Sequence, residues 1–170
     1  MLQELVNPHE KGKNEITVGF KVFREGDKVM QIKNNYNIGW EKGKDSGEGI
    51  FNGDIGIIEK IDIKNECVII CFDDDRRATY MKDQLIELEL AYAVTVHKSQ
   101  GSEFKAVILP IISVIPQLKY RNLLYTAVTR AKEKLVIVGS SAEVFEMAQN
   151  DKKTRRYSAL KYMLLENNNE

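Results

Sequence analysis

The sequence predicts an α/β protein in which part of a parallel sheet carries an inserted small β-barrel. Three observations lead there. Residues 21–90 are short runs of β-branched residues separated by turn residues, the texture of an all-β module. Residues 106–109 (AVIL) and 135–138 (LVIV) are instead apolar throughout, as strands buried on both faces are. The connection between those two runs reads as a helix and is long enough for the right-handed crossover that a parallel pair needs.

Bulk properties narrow the function. A chain of 170 residues holds one domain, or a domain with a small insert, and can bury a core. Lysine plus arginine equals aspartate plus glutamate at 25 each, so no global field draws the chain to a polyanion, and any such site is local. No apolar run approaches the roughly 20 residues of a membrane helix, and the N-terminus lacks a signal pattern; a cytoplasmic protein with no membrane contact is expected. Cys67 and Cys71 share one face of an expected strand and are read as two buried free thiols. Neither His9 nor His97 has ligand spacing to them, so no metal site is expected.

Residues 1–20 read as a helical fragment broken at Asn7-Pro8 and followed by a charged, flexible link. An opening in mid-element fits a piece cut from a longer chain as well as a natural short N-terminus. Within 21–90 the expected strands are 28–33, 55–63, 66–72, 78–81 and 85–90, with hairpin turns at 62–66 and 73–76. Closure into a barrel would remove edges that so small a sheet could not otherwise protect. Asn34, Asn35, Tyr36 and Asn37, followed by Trp40, put amides and aromatic rings in one irregular segment suited to stacking bases and bonding phosphates. The alternative is that the asparagines serve turn geometry and Trp40 packs on the barrel. Residues 51–54 form a tight turn.

Residues 91–150 carry the α/β pattern. Residues 91–100 suit a short helix with Gly101 in the left-handed conformation after its end, although Val94, Thr95 and Val96 also permit a strand. Strand 106–109 stops at Pro110, and 111–117 is a loop containing Pro116. A helix over 120–131 places Leu123, Leu124, Ala127 and Val128 on one face. After strand 135–138, Ser140 and Glu143 form a capping box that opens helix 141–149. Helices on both faces of the parallel strands complete the expected lobe. Residues 151–170 read as an amphipathic helix on Tyr157, Leu160 and Leu164, with Lys152, Lys153, Arg155 and Arg156 either solvated or on a phosphate.

No nucleophile elbow, paired-carboxylate site or metal framework is present. The chain also lacks a G-x-x-x-x-G-K-[ST] loop; Lys98-Ser99 mimics its end without the glycines. What remains is the crowd of Thr95, His97, Lys98, Ser99, Gln100 and Glu103 leading into an apolar strand. Arg130 ends the crossover helix, where a guanidinium reaches phosphate oxygens with two donors or simply pairs with a surface carboxylate.

Together, AYAVTVHKSQGSEF (91–104) and LLYTAVTRAKEKLVIVG (123–139) resemble motifs V and VI of superfamily 1 DNA helicases, most nearly the RecD/TraA type. GDKVMQIKNNYN and FNGDIGIIEKID are similar to the SH3-like insertion of that group's second motor domain. The resemblance runs from Gly26 to Gly139 in the family's order. It implies a RecA-like sheet portion of the P-loop NTPase type with an SH3-like barrel inserted. It implies further that Arg130 is an arginine finger on the γ-phosphate, that Gln100, Gly101 and Glu103 line the ATP side with Glu103 near the sugar, and that Thr95, His97, Lys98 and Ser99 approach the phosphates of single-stranded DNA. Gln100 and Gly101 would couple the two ligands, while Asn34, Asn35 and Tyr36 add DNA contacts from the barrel.

The implied cofactors are ATP and Mg2+ in a full-length parent, with none bound independently by this chain. Its implied partners are single-stranded DNA, the N-terminal motor domain of the same parent and further repair or recombination subunits; movement would run 5′ to 3′. Walker A and B, the second-motif acid and the motif IV arginine are absent, so the isolated chain is expected to be inactive. Two other readings stay open: a non-catalytic nucleic-acid or peptide module built on the barrel, and a regulatory remnant that competes with an intact enzyme for DNA.

Overall fold

A computed structural model describes residues 2–151. The chain divides into two compact units, Met1–Glu103 and Phe104–Glu170. Among the described residues no helix is long and apolar enough to cross a membrane.

The first unit opens with helix α1 (Leu2–Val6), which stops before Pro8 as the residue preceding a proline must leave the helical region. Strands β1 (Glu15–Val18) and β2 (Lys21–Arg24) then form an antiparallel hairpin. The first of these strands lies in what was expected to be a flexible link. It forms because Ile16 faces Phe23 across the hairpin and both are buried, enough apolar surface to order a charged stretch.

Seven strands follow: β3 (Lys28–Gln31), β4 (Asn35–Lys42), β5 (Asp45–Ile50), β6 (Ile55–Asp62), β7 (Cys67–Phe72), β8 (Arg77–Met81) and β9 (Leu88–Leu90). They pair antiparallel in the order β5-β4-β8-β7-β6-β3-β9. One core takes Ile50 and Leu88 from the two edge strands as well as Ile58, Val68, Ile70 and Tyr80 from the middle, so the sheet curls around it. The expected strands at 28–33, 55–63, 66–72 and 78–81 are present. The expected strand at 85–90 is part 3₁₀ turn (Gln84–Glu87) and part β9.

Three expectations for this module need correction. Residues 35–37 are not irregular but open β4, whose pairing with β5 shifts register between Asn35 and Gly39. Strand β5 was not foreseen because DSGEGI has little β propensity. It is held by Trp40, paired with Gly47, whose ring lies where a β-carbon on that glycine would come within 2.6 Å. Trp40 therefore packs on the sheet, with the Arg76 guanidinium 5.7 Å from its ring centroid. Finally, Cys67 and Cys71 are free thiols, but they face the outer side of β7 and are half-buried rather than buried, since the alternation gives the core side to Val68, Ile70 and Phe72.

In the second unit, β10 (Phe104–Ile111) and β11 (Ala131–Gly139) pair in parallel, with Val107 opposite Leu135 and Ile111 opposite Gly139. The crossover carries a 3₁₀ turn (Pro116–Leu118) and helix α2 (Arg121–Val128), and α3 (Ser141–Gln149) follows β11. Strand β10 runs through Pro110 instead of stopping there. A two-stranded sheet leaves each strand one open edge, and a proline is tolerated where its missing N–H faces that edge. Ala127 is buried and Leu123, Leu124 and Val128 are half-buried, the face expected of α2.

The capping box is not made: Ser140 has the extended N-cap backbone but no side-chain cap bond, and Glu143, which would reach back to it, pairs instead with Lys119 at 3.1 Å. Nor are the parallel strands covered on both faces among the described residues, for Ile108 is 72% exposed and Val136, Ile137 and Val138 are exposed too. The expected helix at 151–170 lies outside the described residues, apart from Asp151.

Strand β6 packs so closely on β7 that a β-carbon at Gly56 would sit 2.7 Å from the Cys71 carbonyl oxygen and 2.8 Å from Ile70 Cγ2. Gly56→Ala should cost about 1–3 kcal/mol in urea denaturation. A variant as stable as the parent would contradict this packing.

Candidate nucleic-acid and nucleotide site

Residues 91–103 leave the sheet as a chain of turns, not as the helix or strand expected. Their entry is fixed at two points: Ala91 N–H donates to the Lys28 carbonyl at 2.7 Å, and the Tyr92 hydroxyl donates to Asp27 Oδ1 at 2.7 Å. Asp27 is fully buried and also accepts from Gln3 Nε2 (2.7 Å), Asn7 Nδ2 (2.6 Å) and Arg24 N–H (2.8 Å). Burial first, and then the bond to the Asp27 carboxylate, push the Tyr92 hydroxyl up to about 12.

Beyond Tyr92, side chains compete for the backbone and bend it. Lys98 N–H donates to Thr95 Oγ1 at 3.2 Å, and the Ser99 hydroxyl donates to the Val96 carbonyl at 2.8 Å. Ser99 N–H reaches the Thr95 carbonyl at 3.0 Å and Ser102 N–H the Ser99 carbonyl at 3.1 Å. Only Gly101 keeps the left-handed backbone expected of it, at φ +87°. Thr95, His97, Lys98, Gln100, Gly101 and Glu103 are exposed along this segment, whereas Ser99 turns inward at 4% exposure. The Lys98 ammonium pairs with Glu89 of β9, and both ends of that pair are exposed.

On the sheet, the side chains of Asn34 and Asn35 are committed to structure. Asn34 Oδ1 accepts from Asn52 N–H at 2.9 Å, and Asn35 Nδ2 donates to Glu87 Oε2 at 2.9 Å. That carboxylate also takes Gln31 Nε2 at 3.0 Å, and the amide oxygen of Gln31 accepts from the buried Tyr80 hydroxyl at 3.0 Å. Tyr36 differs: it is 65% exposed and meets Phe51 edge to face, centroids 5.7 Å apart, with Phe51 itself 41% exposed. The sequence had shown Phe51 only as part of a turn. An aromatic residue at a turn that also holds Asn52 and Gly53 was the available signal.

Arg130 belongs to the second unit, in the turn between α2 and β11. Its Nε donates to the Thr126 carbonyl at 3.1 Å and its amide to the Ala127 carbonyl at 3.3 Å, so the half-buried side chain lies against the last turn of α2. Its own carbonyl accepts from Phe104 N–H at 2.8 Å, which ties the start of β10 to the start of β11.

Residues 1–72 match the family model described as the ATP-dependent RecD-like DNA helicase SH3 domain, and residues 90–138 match the UvrD-like helicase C-terminal domain. The Pif1 helicase from Bacteroides, solved in complex with ADP-AlF3 and ssDNA, has a similar fold at a TM-score of 0.53 and 18% identity, over 99% of this chain and 42% of that one. Fold and motifs thus define a helicase motor domain with an SH3 insertion. The ATP-dependent RecD2 DNA helicase of Deinococcus radiodurans is 34% identical over 160 residues, 94% of this chain and 20% of the relative. The RecBCD enzyme subunit RecD of Mycolicibacterium smegmatis is 37% identical over 106 residues, 59% of this chain and 17% of the subunit. The chain belongs to the RecD-type superfamily 1 helicases and corresponds to their C-terminal part. It spans about a fifth of the length of these curated relatives.

Tyr92 ionises near 10 when unfolded and near 12 when folded, so its contribution is complete below pH 10 and is lost as pH rises toward 12. Burial moves Tyr80 in the same direction. Urea denaturation should show stability falling across that window, and Tyr92→Phe should remove part of the fall. An unchanged slope in the variant would refute the linkage.

Proposed function

We propose that this chain is the C-terminal part of an ATP-driven DNA helicase: a portion of the RecA-like parallel sheet of its second motor domain with an SH3-like barrel inserted, acting in translocation along single-stranded DNA and unwinding. The observation that carries the reading is the anchored, exposed turn from Thr95 to Glu103, which runs directly into a parallel strand whose first amide bonds the carbonyl of Arg130. In this reading Thr95, His97 and Lys98 meet the phosphates of the DNA strand, and Ser99 holds the turn that presents them. Tyr36 and Phe51 offer ring faces to bases from the barrel, and Asn34 and Asn35 set the loop and strand that carry Tyr36.

The nucleotide side is partial. Gln100, Gly101, Glu103 and Arg130 provide an amide, an open backbone, a carboxylate and a guanidinium, the right donors and acceptors for a sugar and a terminal phosphate. The 170 residues contain no phosphate-cradling loop, so that half of the site falls to the N-terminal motor domain of the same parent chain. ATP, when bound with Mg2+, would supply the energy of the cycle through hydrolysis of the bond to its terminal phosphate. Arg130 offsets charge that develops there, a role worth roughly 10³ to 10⁵ in rate. Because RecD relatives carry the name of a RecBCD subunit, further recombination subunits are proposed as partners. Zero net charge makes any DNA contact of this chain local, and each phosphate it neutralises makes the binding salt-sensitive.

In the whole protein Arg130→Ala should cut ATP turnover by about 10³-fold or more while leaving affinity for oligo-dT within about twofold. The purified 170-residue chain should show no DNA-stimulated hydrolysis. Undiminished turnover in the variant, or robust ATPase from the chain alone, would overturn the assignment.

A further inference from the structure

The geometry points to Tyr92 as a positioning residue, through which buried Asp27 fixes the 93–103 segment so that its polar groups face a DNA strand. The inference rests on the DNA-binding reading above and adds the device that orders the site. Residues 93–103 have no helix or strand of their own, and the bonds among Thr95, Val96, Lys98 and Ser99 shape the turn from within. The Lys98 to Glu89 pair does reach the sheet, but both ends are exposed and such pairs hold weakly. Tyr92 is different: its hydroxyl is a charge-assisted donor to a fully buried carboxylate.

Asp27 cannot swing to follow a moving tyrosine. Its Oδ1 takes Asn7 and Tyr92, and its Oδ2 takes Gln3 and the Arg24 amide, so two donors hold each oxygen. Those partners come from α1, from the residue that follows it and from the end of β2, which makes the carboxylate the meeting point of three parts of the first unit. Tyr92 touches no ligand. With the Ala91 amide on the Lys28 carbonyl just before it, it sets where the turn begins, three residues before Thr95.

The test compares two single substitutions in the 170-residue chain, each of which removes one donor from Asp27. Tyr92→Phe should speed amide exchange in residues 96–102 by about tenfold and weaken oligo-dT binding by about fivefold, because the segment must then be ordered on binding. Gln3→Ala takes a bond from the opposite oxygen and should leave both readings within about twofold. Unchanged exchange in Tyr92→Phe, or equal effects from Gln3→Ala, would overturn the positioning role. If the parent chain does not bind oligo-dT, the DNA reading fails, and the exchange comparison still decides whether Tyr92 orders the segment.

Discussion

A carboxylate removed wholly from solvent destabilises a fold unless donors surround it, and Asp27 meets that condition with four. The requirement reaches well beyond the residue. Gln3 and Asn7 must be near the sheet, which draws the short helix α1 onto a module it could not join by its own apolar surface, since Leu2, Leu5 and Val6 are exposed. Arg24 must close its turn so that its amide points inward, and its guanidinium then gathers Glu4 and Glu15. Tyr92 must come back to the same point after the whole sheet has been traversed. Removing the carboxylate would leave these donors unsatisfied, which is why the elements around it are fixed together and not one by one.

A second buried polar chain does similar work on the sheet. Tyr80, Gln31, Glu87 and Asn35 are linked in series, and this joins β8, β3, the 3₁₀ turn before β9 and the start of β4. Around it the aliphatic core supplies most of the stabilisation by removing apolar area from water. The polar chains add register. A sheet whose inner face is mostly isoleucine, valine and leucine could slip, and hydrogen-bonded side chains at defined positions make a slip costly. The end of β3 and the start of β9 are thereby held, and the 91–103 segment departs from β9 two residues further on, where Ala91 bonds the Lys28 carbonyl.

How much of this could be read from residues alone depended on distance along the chain. Alternation and apolar runs mark β6, β7, β8 and the parallel pair β10 and β11, because each pattern is local. Strand β5 could not be seen in DSGEGI, since its reason to exist is Trp40 across the ladder. The hairpin β1–β2 was hidden by its charges for the same kind of reason, its order coming from one cross-strand contact between Ile16 and Phe23. The 91–103 segment misled because Thr95 and Ser99 bond the backbone locally, which replaces helix bonds with turns. Of the candidate site, the polar segment and Arg130 were legible as motifs. Phe51 and Tyr92 were not, since each matters through a partner on another strand or turn of the fold.

What emerges is a division of labour within one chain. A curled sheet with buried polar links provides a rigid frame, and the frame holds a short segment of turns in a defined place. Photo-crosslinking of an oligo-dT carrying halogenated thymines, read by mass spectrometry, tests that account most directly. Crosslinks should concentrate at Tyr36, Phe51 and His97. Crosslinks confined to the outer face of β6 and β7, around Ile57 and Ile69, would contradict it.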